Sequence, residues 1–338
     1  MARSRSYVVE VMKAHPVVSG IVATLAASAV LNRVLAKKAE RRNPPMGRFI
    51  TVDGVRLHYV ERGTGIPLVL LHGNGSMIQD FVSSGLLDLA AKTYRVIAFD
   101  RPGFGYSERP RSTVWTPEAQ ADLINSALVQ MGVSQPLVLG HSWGTLVAVA
   151  LALKYPRNIQ ALILASGYYY PTLRADVLVL SPPAMPVIGD LLSHTISPII
   201  GRLIWPLLLR KIFGPSPVPK KFVGFPEEMA MRPSQIRAAA AETALMIPAA
   251  KSFGKAYGHL KMPVVIIAGT EDRLIEPQQS TRLHRDIVQS TLRRIPSTGH
   301  MVHQTATAQI ISAIDTVAGR QGIRSAPCGS LQVAAQQA

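Results

Sequence analysis

At 338 residues with 48% apolar side chains, the chain is long enough to bury a full hydrophobic core. Its single cysteine, Cys328, excludes any internal disulfide. A net charge of +16 raises a nucleic-acid role, but no nucleic-acid-binding module is recognisable and no such partner is expected.

Much of that charge is local. Residues 1–48 hold nine Lys or Arg against only Glu10 and Glu40. They flank Val17 to Leu31, a stretch apolar or small throughout and relieved only by Ser19, Gly20, Thr24 and Ser28. Basic residues so placed suit anionic lipid headgroups, at roughly 1 kcal/mol per residue near the surface. Fifteen residues fall short of the roughly 20 that span a bilayer. With Ala14 to Pro16 and Asn32 to Ala36 included, a thin or tilted span over residues 14–36 becomes feasible. Three readings stay open. The first is an uncleaved anchor, with Ala36 to Pro45 as juxtamembrane linker. The second is a cleaved signal peptide with Ala27-Ser28-Ala29 as its small-residue site, which would export the protein. The third is an amphipathic or packed helix of a soluble protein. The more basic downstream flank would keep an anchored domain cytoplasmic.

Two strands are predicted around Gly47 to Glu61, then a strand from Leu68 to Leu71 that ends in His72-Gly73-Asn74-Gly75. A helix near Leu86 and a strand from Tyr94 to Phe99 follow, the strand leading into Asp100-Arg101-Pro102-Gly103-Phe104-Gly105-Tyr106-Ser107. Thr116-Pro117-Glu118 supplies an N-cap, a first-turn proline and early negative charge for a helix to Met131. The apolar run Pro136 to Leu139 precedes Gly140-His141-Ser142-Trp143-Gly144-Thr145, which opens a small-residue helix to Lys154. Beyond a strand at Ala161 to Ala165, alternation breaks from Tyr168 to about Gly258, a stretch rich in Pro, Leu, Ile and Met. It resumes with a buried strand at Pro263 to Ala268, a helix from Pro277 to Ile287 and a strand from Thr291 to Ile295. Strands alternating with helices argue a mostly parallel sheet.

Ser142 lies in G-x-S-x-G between a strand and a helix, where a sharp turn exposes the serine and glycines relieve crowding. A serine hydroxyl needs an imidazole to take its proton, and the imidazole needs a carboxylate to hold it. Asp272 follows the late buried strand, and His300 follows the last strand, so all three fall in loops at strand ends. Their near rivals are Glu271 for the acid and His303 for the base, His303 reading as a helix-face residue. His72 and Asp100 read as structural groups that fix the two motif loops, and His141 as pointing away from its neighbour.

The four motifs, at His72–Gly75, Asp100–Ser107, Gly140–Gly144 and Asp272 with His300, resemble the α/β-hydrolase fold in its order Ser…Asp…His. The resemblance implies an α/β fold: a mostly parallel central sheet of about eight strands, flanked by helices, with a helical cap insertion and an N-terminal apolar helix. It places a core at 47–167 and 259–320, interrupted by a cap of several short helices (168–258); composition adds an N-terminal anchor or signal segment with basic linker (1–46) and a polar, small-residue, disordered tail (321–338). Ser142, Asp272 and His300 would be catalytic, and the backbone N–H groups of Asn74 and Trp143 would form the oxyanion hole. No cofactor and no metal is needed. An Asn after His-Gly and a Trp after the nucleophile also resemble the haloalkane dehalogenases, but those use an aspartate where this chain has Ser142, and a seryl ether would be a dead end. The reading is a serine hydrolase for a small to medium, largely apolar acyl ester. Amidase, peptidase, C–C bond hydrolase, acyltransferase and a non-catalytic binding protein remain the alternatives.

Overall fold

The computed structural model describes residues 15–319. Arg3, Arg5, Lys13, Cys328 and the expected tail at 321–338 lie outside the described residues. The described residues open with a 27-residue helix α1 (Pro16–Arg42). The helix runs through most of the expected linker, because Ala36, Lys37, Lys38, Ala39 and Glu40 are good helix formers. It stops just before Pro44-Pro45.

Eight strands follow: β1 (Arg48–Val52), β2 (Val55–Arg62), β3 (Pro67–Leu71), β4 (Arg95–Phe99), β5 (Leu137–His141), β6 (Ala161–Ala165), β7 (Val264–Gly269) and β8 (Ser290–Ile295). They form one sheet in the order β1-β2-β4-β3-β5-β6-β7-β8. β1 and β2 pair antiparallel, as do β2 and β4, and every later pairing is parallel. The central strands β5, β6 and β7 are buried along their whole length, as strands covered by helices on both faces must be.

Two apolar layers sandwich the sheet. On one face lie α2 (Ile78–Ser83), which the sequence reading did not foresee, and α3 (Leu86–Ala90), together with the C-terminal helix α13 (Thr307–Val317). On the other lie α4 (Pro117–Gln130) and α5 (Trp143–Lys154). Thr116 caps α4 as expected, its Oγ1 accepting the Ala119 N–H at 3.2 Å. α5 is apolar all round and nearly all buried, pressed between the sheet and α4.

Between β6 and β7 the chain folds into helices: α6 (Ala175–Leu180), α7 (Ile188–His194), α8 (Ser197–Phe213), α9 (Glu227–Ala230) and α10 (Pro233–Phe253), joined by short 3₁₀ turns. The expectation of short helices is corrected for α8 and α10, of 17 and 21 residues. Pro206 and Pro248 sit inside these helices. Each proline removes a single backbone donor, and the flanking turns hold.

Gly144 sets how closely α5 can lie on the sheet: a Cβ there would come within 2.2 Å of the Leu71 carbonyl oxygen. Gly144→Ala is therefore expected to displace the helix and cost about 1–3 kcal/mol. Denaturant unfolding measures this, and an unchanged midpoint would remove the constraint.

Candidate active site

Ser142 joins β5 to α5 with φ +53° and ψ −120°, a region that L-residues rarely occupy. The surroundings hold it there. Its N–H donates to the Ala165 carbonyl at 2.9 Å, and its carbonyl accepts the Thr145 hydroxyl at 2.6 Å and the Thr145 N–H at 3.0 Å. Gly140 is required by close approach, since a Cβ would meet the Gly144 carbonyl at 2.5 Å. Unlike its buried neighbours His141 and Trp143, Ser142 is partly accessible.

Asp272 and His300 come from loops 28 residues apart and meet. His300 Nδ1 lies 2.7 Å from Asp272 Oδ2, both side chains being buried. Asp272 is oriented by the backbone N–H groups of Leu274 and Ile275, which donate to its other oxygen at 2.9 Å. With Nδ1–H donating to the carboxylate, His300 Nε2 is the ring atom left to accept a proton. The His300 backbone N–H donates to the Ile212 carbonyl near the end of α8. Ser142 belongs to the same cluster through its neighbour: the His141 ring centroid lies 5.0 Å from that of His300, and His141 Nε2 lies 3.1 Å from the His300 carbonyl.

The loop after β3 packs against the serine, for a Cβ on Gly73 would lie 3.1 Å from Ser142 Cβ. His72 is buried. Its Nδ1 lies 2.8 Å from the Gly73 carbonyl and its Nε2 accepts the Arg101 N–H at 3.0 Å, which sets the neutral tautomer. Burial, reinforced by the Arg101 charge, lowers its pKa to about 3. Asp100 accepts the N–H groups of Ile78 and Tyr106 and meets His58 Nδ1 at 2.6 Å, so it fixes the turn as expected.

Arg101 is the residue whose role the sequence concealed. Its guanidinium is fully buried, donates to the carbonyls of His72 and Gly73 at 2.7 and 2.9 Å, and forms a bidentate pair with Glu242 of α10. Gln120 completes the group by donating to Glu242 at 3.0 Å. Asn74 Nδ2 also reaches α10, donating to the Ala239 carbonyl at 3.1 Å and Thr243 Oγ1 at 3.0 Å. Arg101 sits in a visible motif, but Glu242 lies 141 residues away in a helix with no recognisable pattern.

His303 is in helix α12 (Val302–Thr305), as expected, but it is wholly buried. Its Nε2 lies 2.9 Å from Asp80 Oδ1 and its ring centroid lies 4.2 Å from that of His141, the planes tilted by 58°. Burial alone would raise the Asp80 carboxyl, but the charge and hydrogen bond of His303 hold it well below the usual range. His141 is pushed far down by burial and then by His303 and His300. Asp80, His141 and His303 bring ligand atoms within 4.8 Å of one another, a metal-capable set by residue type. Asp80 is already engaged, however, by Gln304 at 2.7 Å on Oδ1 and Ser76 at 3.0 Å on Oδ2. The group therefore reads as a buried histidine–carboxylate contact behind His300.

The sequence profile of the alpha/beta hydrolase fold family matches residues 66–307. This chain belongs to that family. Curated proteins similar to this chain include 2-hydroxymuconate semialdehyde hydrolase of Pseudomonas sp. (strain CF600), 33% identical over 136 residues. That match covers 39% of this chain and about half (48%) of the relative. Similar solved structures include a thermophilic esterase from Thermogutta terrifontis, with TM-score 0.67 and 22% identity over 80% of this chain and 97% of that one. A membrane phospholipase A aligns with TM-score 0.62 and 20% identity over 93% of this chain and 99% of that one. At such identities the two structures show a shared fold.

Two predictions follow from the buried charges of this hydrolase. Glu242→Ala leaves the Arg101 guanidinium buried without its partner, with an expected cost of about 3–5 kcal/mol in unfolding free energy. The second concerns pH. A histidine whose folded pKa lies below its unfolded value near 6.5 is stabilising in neutral form, and that contribution is lost as pH falls from 6.5 towards 3. His72 alone would cost about 2 kcal/mol by pH 5, and His141 acts in the same direction. Urea unfolding at neutral pH and at pH 5 measures this, and equal stabilities would contradict it.

Proposed function

We propose that this hydrolase cleaves carboxylic esters through Ser142, His300 and Asp272. The observation that carries the reading is the Asp272–His300 pair, which packs against His141, the residue next to a serine held in strained backbone geometry. His300 Nε2 takes the Ser142 proton as Oγ attacks the acyl carbonyl, and Asp272 holds the imidazolium. The tetrahedral oxyanion is met by the backbone N–H groups of Asn74 and Trp143, a contribution on the order of 10²–10³ in turnover per donor. His300 then passes its proton to the leaving alcohol, the ester to Ser142 forms, and a water activated by the same nitrogen releases the acid.

The Asn74 hydrogen bonds to α10 support the oxyanion assignment, because they fix the loop without using its backbone donor. The helices between β6 and β7 are read as a cap that roofs the site and shapes an apolar acyl pocket. Hydrolysis of a semialdehyde such as 2-hydroxymuconate semialdehyde is the second reading, favoured by the relative that shares a third of its residues over the matched stretch. Both readings need the same three residues and differ in substrate.

For the N-terminal segment the proposal is an uncleaved anchor. Ala27-Ser28-Ala29 lies within the helix α1, and the Ser28 hydroxyl donates to the Thr195 carbonyl at 2.8 Å, a setting unsuited to cleavage.

A fluorophosphonate probe should label the full-length protein, and Ser142→Ala and His300→Ala should each abolish labelling. Turnover of p-nitrophenyl esters should fall by about 10⁴ in Asp272→Asn, through loss of the correct histidine tautomer. Absence of labelling on a folded wild-type protein would sink the proposal.

A further inference from the structure

Of the thirty exposed large apolar side chains among the described residues, fifteen fall within residues 173–208 and seven lie on α1. The helices that carry them are inverted. In α7 the side chains buried against the protein are Gly189 and Ser193, while Ile188 and Leu191 face out. In α8 only Pro198 and Phe213 are buried, and Ile200, Leu203 and Leu207 continue an outward apolar stripe at helical spacing. α6 buries nothing, and α1 buries only Asn32 and Ala39.

The two sets of helices are locked together. Asn32 donates to the carbonyls of His194 and Thr195 at 3.0 and 2.8 Å and accepts from Arg202 at 3.1 Å. This clamp sits at the 61° bend between α7 and α8, immediately after the apolar stretch of α1. The basic residues Arg33, Lys37, Lys38, Arg41 and Arg42 begin at that level. A bilayer that takes up the apolar part of α1 must therefore meet α7 and α8 at its surface.

We propose that the outward faces of α1 and α6–α8 form one docking face for an anionic lipid bilayer. Large apolar residues outside, small residues inside and a basic border are what an interfacial helix surface requires. A second copy of the chain on this face would bring two basic borders together, which disfavours self-association. α8 also ends on the catalytic loop, since the Ile212 carbonyl accepts the His300 N–H at 2.9 Å. Resting on the ester-hydrolase reading, the docked enzyme would draw acyl esters from the bilayer itself.

The test attaches an environment-sensitive fluorophore at Leu203→Cys in the full-length Cys328→Ser protein, with Val288→Cys, exposed in the turn before β8 and on none of these helices, as control. Vesicles of phosphatidylcholine containing phosphatidylglycerol should shift the label at 203 to the blue and expose it to quenching by doxyl lipids, leaving the label at 288 unchanged. Pure phosphatidylcholine should give a weaker response. If the protein floats with vesicles while the label at 203 stays unquenched, α1 alone is the anchor and the docking face is wrong. A label at 203 that is shielded without vesicles, in a particle of twice the mass, would assign the face to a second copy instead. These readouts do not depend on catalysis. In an assay, Leu203→Glu with Leu207→Glu should reduce turnover of vesicle-embedded ester on the order of tenfold or more and spare a soluble p-nitrophenyl ester. Equal loss on both substrates would overturn the link between docking and substrate. If the wild type hydrolyses neither, the ester reading fails while the fluorescence still decides the docking face.

Discussion

The buried Arg101–Glu242 pair ties three parts of the molecule that share no local interaction. Arg101 follows β4, its guanidinium holds the carbonyls of His72 and Gly73 after β3, and Glu242 belongs to α10 in the long insertion. Two charges are taken wholly out of water, an arrangement that survives only with every donor occupied. The guanidinium meets the condition with two carbonyls, a bidentate carboxylate and Gln120. Through this group the loop beside Ser142 is placed relative to α10. A shift of α10 would be felt at Gly73, whose Cα packs on the serine.

A comparable arrangement supports His300. Its ring is held by Asp272, its N–H by Ile212 and its carbonyl by His141, which packs against His303 beside Asp80. Each support comes from a different element. Such support is what the proposed proton transfer by His300 would demand, because small displacements cost large factors in rate. The insertion contributes to both arrangements through Glu242 and Ile212. On its outer side the same insertion carries the apolar helices α6–α8, so one segment connects the site to the surface.

The fold was legible in the chain because it rests on local signals. Continuous apolar runs at Leu68, Leu137, Ala161 and Val264 marked buried parallel strands, and Thr116-Pro117 marked the start of α4. Ser142, Asp272 and His300 were legible because each sits at a strand end in a short motif, and two of them meet as expected. The insertion was less legible. Several short helices were expected there, whereas α8 and α10 run through Pro206 and Pro248 to 17 and 21 residues. α2 is a six-residue helix with too little periodicity to register, and its Asp80 was missed with it.

By itself the sequence determined membership of an α/β architecture, the strand-loop positions of the serine, carboxylate and imidazole, and an apolar, basic-flanked N-terminal helix. These depend on neighbours within a few residues, where steric and hydrogen-bonding rules act directly. Only the tertiary structure decided that Glu242 partners Arg101, that His303 belongs to Asp80, and that α7 and α8 turn their apolar sides outward. Those outcomes depend on which charge finds which across more than a hundred residues, and on which face of a helix the rest of the protein covers. A stripe of apolar residues looks the same in sequence whether it faces a core or a solvent boundary, and only the packed neighbours tell the two apart.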